Sequence, residues 1–173
     1  METTFAIQYT FFDESHETEL SILVNDANIL SFYRDEKKMT TRWNLDELAL
    51  WLRCFLDNLK EDPYPVEIEG EYASIKDINA REFDTEDDAE FDVYYDKLDD
   101  WDMRHRWHPA FSGGILADLY FQLIGENIEI SWNNQNPEEG VKFQFELGGV
   151  SIPKERFISE VNSFLEAYAM HWF

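Results

Sequence analysis

Apolar residues recur along this chain with two different periods, and the switches between them mark out strands and helices. Residues 4–12, TFAIQYTFF, are dense in β-formers and predict a strand. The stretch ETELSILVNDANILSFYRD predicts a hairpin turning at residues 25–28, where Asn25, Asp26 and Asn28 cluster. The period then changes. In WNLDELALWLRCFLDNLKEDPYP, Leu48, Trp51, Leu52, Phe55, Leu56 and Leu59 fall at helical spacing. Asn44 stands at the N-cap position, Glu47 completes a capping box three residues on, and Pro63 and Pro65 close the segment. A helix over about 45–60 follows.

VEIEGEY predicts a short strand, and residues 71–82 carry no decisive pattern. Residues 84–92 are too charged for a core and read as a loop or helix entry. From there Phe91, Tyr95, Leu98 and Trp101, with Tyr94 more loosely, recur at spacings of three and four. They predict an amphipathic helix over about 91–107, ended by FSGG. ILADLYFQLIGENIEISWNN predicts a second hairpin turning at residues 125–127, and VKFQFELGG a further strand. Pro153 opens a terminal helix over about 153–170, with Phe157, Val161, Phe164, Leu165 and Tyr168 on its apolar side. LVNDANILSF and LIGENIEISW resemble each other, and each is followed later by an amphipathic helix. They suggest two weakly similar strand-rich halves, about 1–62 and 112–173, joined by an acidic segment. The whole reads as one α+β domain: an antiparallel sheet with helices on one face. At 173 residues the chain is long enough to bury a sizeable core.

Charge changes this picture more than composition does. The chain carries 37 acidic and 14 basic residues, a formal net charge of −23. With no basic patch, direct binding to nucleic acid or to an anionic membrane surface is disfavoured, whereas a basic partner is favoured. Plain solubility is the alternative reading. The distribution argues against it, because a solubility device is spread out. Between residues 61 and 102 stand 17 carboxylates, opposed only by Lys76, Arg81 and Lys97. A concentrated field of one sign steers a ligand of the other. The candidate partner-binding residues are therefore Asp84, Glu86, Asp87, Asp88, Glu90, Asp92, Tyr94, Asp96, Asp99, Asp100 and Asp102. In this reading Phe91, Tyr95, Leu98 and Trp101 face the core and anchor the segment. Tyr94 lies nearer its edge as an aromatic contact among carboxylates.

Motifs for catalysis or cofactors are absent. Asp84, Glu86, Asp88, Glu90 and Asp92 alternate as in an EF-hand loop, but Ala89 replaces the required glycine and Tyr95 the closing glutamate. His105 and His108, near Asp102, make an incomplete zinc set beside Arg104 and Arg106. There is no GxSxG, P-loop or GxGxxG. Among 37 acids, a close carboxylate pair carries no information about glycosidase chemistry. The single cysteine, Cys54, excludes an internal disulfide and reads as a buried thiol within a helical apolar pattern. METTFAIQYTFFDES has neither the basic nor the long apolar region of a signal peptide, and no run approaches a membrane span. A cytoplasmic location is expected.

A small, acidic α+β chain without a catalytic motif resembles the immunity proteins of bacterial polymorphic toxin systems, those of contact-dependent growth inhibition above all. The resemblance covers the whole chain in size, charge and design and rests on no signature. It implies a non-enzymatic, cofactor-free protein that binds a cognate basic toxin domain one-to-one. That toxin is a nuclease, in one version an EndoU-type ribonuclease, whose active site or substrate groove is blocked. A second, local resemblance covers HRWHPAFSGGILADLYFQLIGENIEISW, which is similar to a segment of uncharacterised bacterial proteins, some of them carrying an HExxH peptidase domain. This chain has no HExxH, so the peptidase activity does not carry over. Two further classes stay open: a nucleic-acid mimic whose carboxylates replace phosphates, and an enzyme using carboxylates and a metal.

Overall fold

The computed structural model describes residues 3–11, 17–107, 117–135 and 139–172. Strand β1 (Phe5–Phe11) runs antiparallel to β2 (Glu17–Val24) along its whole length. Asn25 and Asp26 then take φ of 50° and 63°, the pair of left-handed residues that a tight two-residue hairpin needs. The expected hairpin forms, but its returning arm, β3, is only Ala27–Asn28. Asn28 diverts the chain. Its amide donates to Ser21 Oγ and Thr40 Oγ1, and its Oδ1 accepts from the Leu30 amide. Beyond that bend, β4 (Phe32–Arg34) and β5 (Lys37–Met39) build a separate sheet, and β6 (Arg42–Asn44) returns to β2.

Helix α1 (Leu45–Asp57) buries Leu45, Leu48, Ala49, Leu52 and Phe55, as its period predicts. Cys54 is exposed, contrary to expectation, because it lies off that stripe; Leu50 is exposed too, so the leucine density misleads. Residues 66–72 form no strand, although Val66 and Ile68 pack on a small apolar cluster. The unassigned stretch holds a helix, α2 (Ala73–Ala80). Helix α3 (Asp88–His105) starts earlier than its apolar period suggests, because the Asp87 carboxylate caps it, accepting from the Ala89 and Glu90 amides. It also ends earlier: residues 106 and 107 are strand β7 (Arg106–Trp107). The side chain of Asn44, the FSGG stop and His108 lie outside the described residues.

The second hairpin, β8 (Leu119–Ile124) and β9 (Asn127–Asn133), turns at Gly125 with φ of 58°. VKFQFELGG divides into two strands. β10 (Val141–Phe143) pairs with β4, whereas β11 (Leu147–Pro153) pairs with β9. Asn134 makes the break, its amide groups bonding to the carbonyls of Phe145 and Glu146. Pro153 closes β11, and α4 (Lys154–Trp172) follows it. The fold is α+β, and the described residues form three antiparallel sheets: β3-β2-β1 with β6 on β2, β10-β4-β5, and β11-β9-β8-β7.

The last sheet divides the molecule. Leu119, Phe121, Leu123, Ile128, Ile130 and Trp132 enter the main core with α1, α4 and the first sheet. Trp51 and Phe55 of α1 meet Phe121 with ring centroids at 5.1 and 6.0 Å. The alternate residues, Tyr120, Gln122, Glu129 and Ser131, point the other way and are also buried. Helices α2 and α3 cover them, so helices lie on both faces of this sheet rather than on one. A polar strand face of this kind ordinarily meets water. Here it becomes the seat for α2 and α3.

Gly149 on β11 allows the close approach of Tyr72, the residue before α2; an added Cβ would stand 2.5 Å from its ring. Gly149→Ala should lower stability by about 1–3 kcal/mol in chemical denaturation, the usual cost of overpacking. Tyr72→Leu in the same chain should recover part of that loss.

Candidate functional site

Helix α2 has no cap from its own flanking residues; Tyr72 offers no side-chain bond. The cap comes from β9. Glu129 Oε1 accepts from the Ala73 amide at 2.7 Å, and Ser131 Oγ from the Ser74 amide at 3.1 Å. At the other end, two hydroxyls of α3 bond carbonyls of the last residue of α2 and of the chain just beyond it. Tyr94 donates to Ala80 O, and Tyr95 to Arg81 O and Phe83 O. Between the ends, buried Asp77 accepts from Tyr64 and Tyr120 hydroxyls at 3.2 and 3.0 Å and from Arg81 Nε at 3.2 Å. Burial first, then the charge of Asp77, pushes both phenols up, so they remain neutral donors.

Arg81 carries this arrangement into α3. Its Nη1 donates to Asp99 at 2.9 Å and its Nη2 to Asp102 at 2.8 Å. Arg106 bonds Asp102 from the other side and forks onto Asp118, its guanidinium 5.4 Å from the Tyr120 ring centroid. Asp102 Oδ1 is buried without a partner. Burial and neighbouring Asp77 push the Asp102 carboxyl up against the pull of the two arginines. At the end of α3, Arg104 bonds Asp100 and Asp62. Burial of Asp62 is outweighed by the bonds from His105 and Arg104, which hold its carboxyl below the usual range.

These pairings split the expected partner-binding set in two. Asp99, Asp100 and Asp102 each hold an arginine of the chain, and Asp102 is largely buried. Asp84, Glu86, Asp87, Asp88, Glu90, Asp92 and Asp96 are exposed. Among the described residues no cation pairs with any of these seven. Asp87 caps α3, and Glu90 accepts from the Thr85 hydroxyl. Asp88, Asp92, Asp96 and Asp100 repeat every four residues, so the outward face of α3 is a ladder of like charges, and each step costs the helix about 0.2–0.5 kcal/mol. Inward contacts carry it: Leu98 and Trp101 are fully buried.

One of the anchoring aromatics lies away from its expected place. Phe91, expected in the core, is 39% exposed, because α3 turns its side chain to the margin of the buried face. Tyr94, expected at the edge, is half-buried and stacked on Phe83 at 4.0 Å. The positioning residues Asp77, Arg81, Arg106 and Glu129 escape notice in the sequence. The one signal for Glu129 is the alternation of NIEISW, with a carboxylate in the middle of a strand.

A cavity of about 560 Å³ between the ends of α1 and α3 holds Cys54, Asp62 and His105 in its wall. His105 Nδ1 lies 2.8 Å from Phe121 O and its Nε2 3.0 Å from Asp62, so neither nitrogen is left to take a proton from the thiol. Among the described residues no group of three or more His, Cys, Asp or Glu is placed to hold a metal ion. No described helix is long and apolar enough to cross a membrane.

Arg81→Met should cost about 3 kcal/mol in urea unfolding, because it leaves buried Asp77 without a paired cation and removes one of the two arginines on Asp102. Asp99→Asn should cost under about 1 kcal/mol, since that end of the pairing is exposed. Burial pushes the Glu129 carboxyl up against the bonds from Ala73 and Ser131 and the charge of Lys76. A raised carboxylate contributes stability that is present below the usual glutamate range and lost as pH rises through its elevated value. Glu129→Gln keeps the acceptor, so its melting temperature relative to the wild type should rise as pH increases above the usual glutamate range. No protein-family model, curated protein or solved structure matches the chain.

Proposed function

We propose that this chain is a binding protein that captures a basic protein on the acidic face of α3, and that it serves as the immunity protein of a bacterial polymorphic toxin system. The observation that carries the reading is the unopposed ladder of Asp88, Asp92 and Asp96 on a helix fixed from its other side. Arg81, Arg104 and Arg106 are engaged internally, so they do not quench it. A field of this kind raises the association rate, while a few desolvated contacts set the residence time. In this reading the protein is not an enzyme, uses no cofactor and acts in the cytoplasm. Its partner is one basic toxin domain, a nuclease, whose active site or substrate groove it blocks. A nucleic-acid mimic asks for an unbroken run of free carboxylates, and the arginines on Asp99, Asp100 and Asp102 interrupt that run.

Co-expression with a toxin domain from the adjoining reading frame tests the proposal, with cell survival as the readout. Exchange of Asp88, Glu90, Asp92 and Asp96 for lysine should slow association at least about tenfold at low salt while circular dichroism is unchanged. Asp92→Gln with Asp96→Gln should slow it less and stabilise the free protein by roughly 1 kcal/mol, since like-charge steps are removed. An association rate indifferent to these changes at low salt would overturn the assignment of this face.

A further inference from the structure

We infer that Phe91, with Asp88 and Asp92, forms a seat for an arginine side chain of the basic partner; this rests on the proposed reading of the α3 face and specifies its chemistry. Asp88, Phe91, Asp92 and Tyr95 stand at i, i+3, i+4 and i+7, so they share one strip of the helix. The Phe91 ring lies against Tyr95 with centroids 4.4 Å apart and is 39% exposed, whereas Leu98 and Trp101 of the same helix are fully buried. An exposed ring bordered by carboxylates is a place where an apolar contact and a charge contact are available together.

The chain itself demonstrates the recognition one turn further along. On the same side of the helix, Tyr95 is followed by Asp99 and Asp102 at i+4 and i+7, and the three hold Arg81. Its guanidinium lies 5.8 Å from the Tyr95 ring centroid and bonds both carboxylates, at 2.9 and 2.8 Å. Phe91 with Asp88 and Asp92 offers the same ingredients, an aromatic ring and two carboxylates, and among the described residues no internal cation pairs with either carboxylate. Charge complementarity selects a cation. The ring selects arginine over lysine, because a planar, weakly hydrated guanidinium stacks on an aromatic face while forking to carboxylates, and a strongly hydrated ammonium does so less well.

Two peptides of equal length and charge, alternating Arg–Gly and alternating Lys–Gly, are titrated into the isotope-labelled full chain at low salt. The arginine peptide should bind roughly three- to five-fold more tightly, with its largest amide shifts at residues 88–95. Phe91→Ala should abolish that preference while leaving lysine-peptide affinity and helix content unchanged, and Phe91→Trp should keep it. Equal binding of the two peptides to the wild type, or a preference that survives Phe91→Ala, overturns the seat alone. If neither peptide binds, the acidic-face reading falls with it.

Discussion

The acidic side of the molecule is organised around one buried carboxylate. Asp77, on a helix of eight residues, takes two tyrosine hydroxyls and one guanidinium nitrogen. The hydroxyls fasten α2 to β8 and to the chain entering from α1. The guanidinium nitrogen aims Arg81, and the rest of Arg81 reaches α3. A buried carboxylate is costly unless it is fully bonded, and here its bonds lead outward to β8, to the chain after α1 and, through Arg81, to α3. The position of α3 follows from them, more than from the apolar area that α2 buries, which amounts to Ala73 and Ala80.

The arrangement resolves a difficulty built into the composition. A net charge of −23 works against compaction. Many of the chain's cations are exposed elsewhere on the surface, but it uses three arginines differently. It places Arg81, Arg104 and Arg106 where α3 meets the sheet, each between two or more carboxylates. Attraction is concentrated along the inner edge, and at Asp77 and Asp102, which are shielded from water, each bond counts for more. Repulsion is left on the outer face, where water and salt screen it. The same sign of charge thus holds the helix at one edge and remains unopposed at the other.

Periodicity made much of the fold legible. The stripes of α1 and α4, the two hairpin turns and the helical character of the acidic segment are all present in the one-dimensional pattern. What it missed had physical reasons. Helix α2 buries Ala73, Ser74, Asp77 and Ala80, small or polar residues that form no apolar stripe. The division of residues 141–153 between two sheets depends on Asn134, which acts from outside the segment. Cys54 and Phe91 were misplaced because an apolar residue at helical spacing can lie at the margin of the buried face as well as at its centre. For the candidate site, the run of acids was plain, whereas their division into paired and unpaired members was not. Arg81 finds Asp99 and Asp102 across 18 and 21 residues, and Glu129 reaches the α2 terminus across 56. No local pattern encodes such partners.

Helix α3 is held entirely from within: by Leu98 and Trp101, by the hydroxyls of Tyr94 and Tyr95, and by the arginines along one edge. Its outward positions, Asp88, Asp92, Val93, Asp96 and Met103, take no part in that hold. Substitutions there therefore leave the architecture alone, so the outward strip can vary in sequence while the packed side stays fixed. The chemistry displayed on that strip can therefore be rewritten by point substitutions, one helical turn at a time, without rebuilding the fold that presents it.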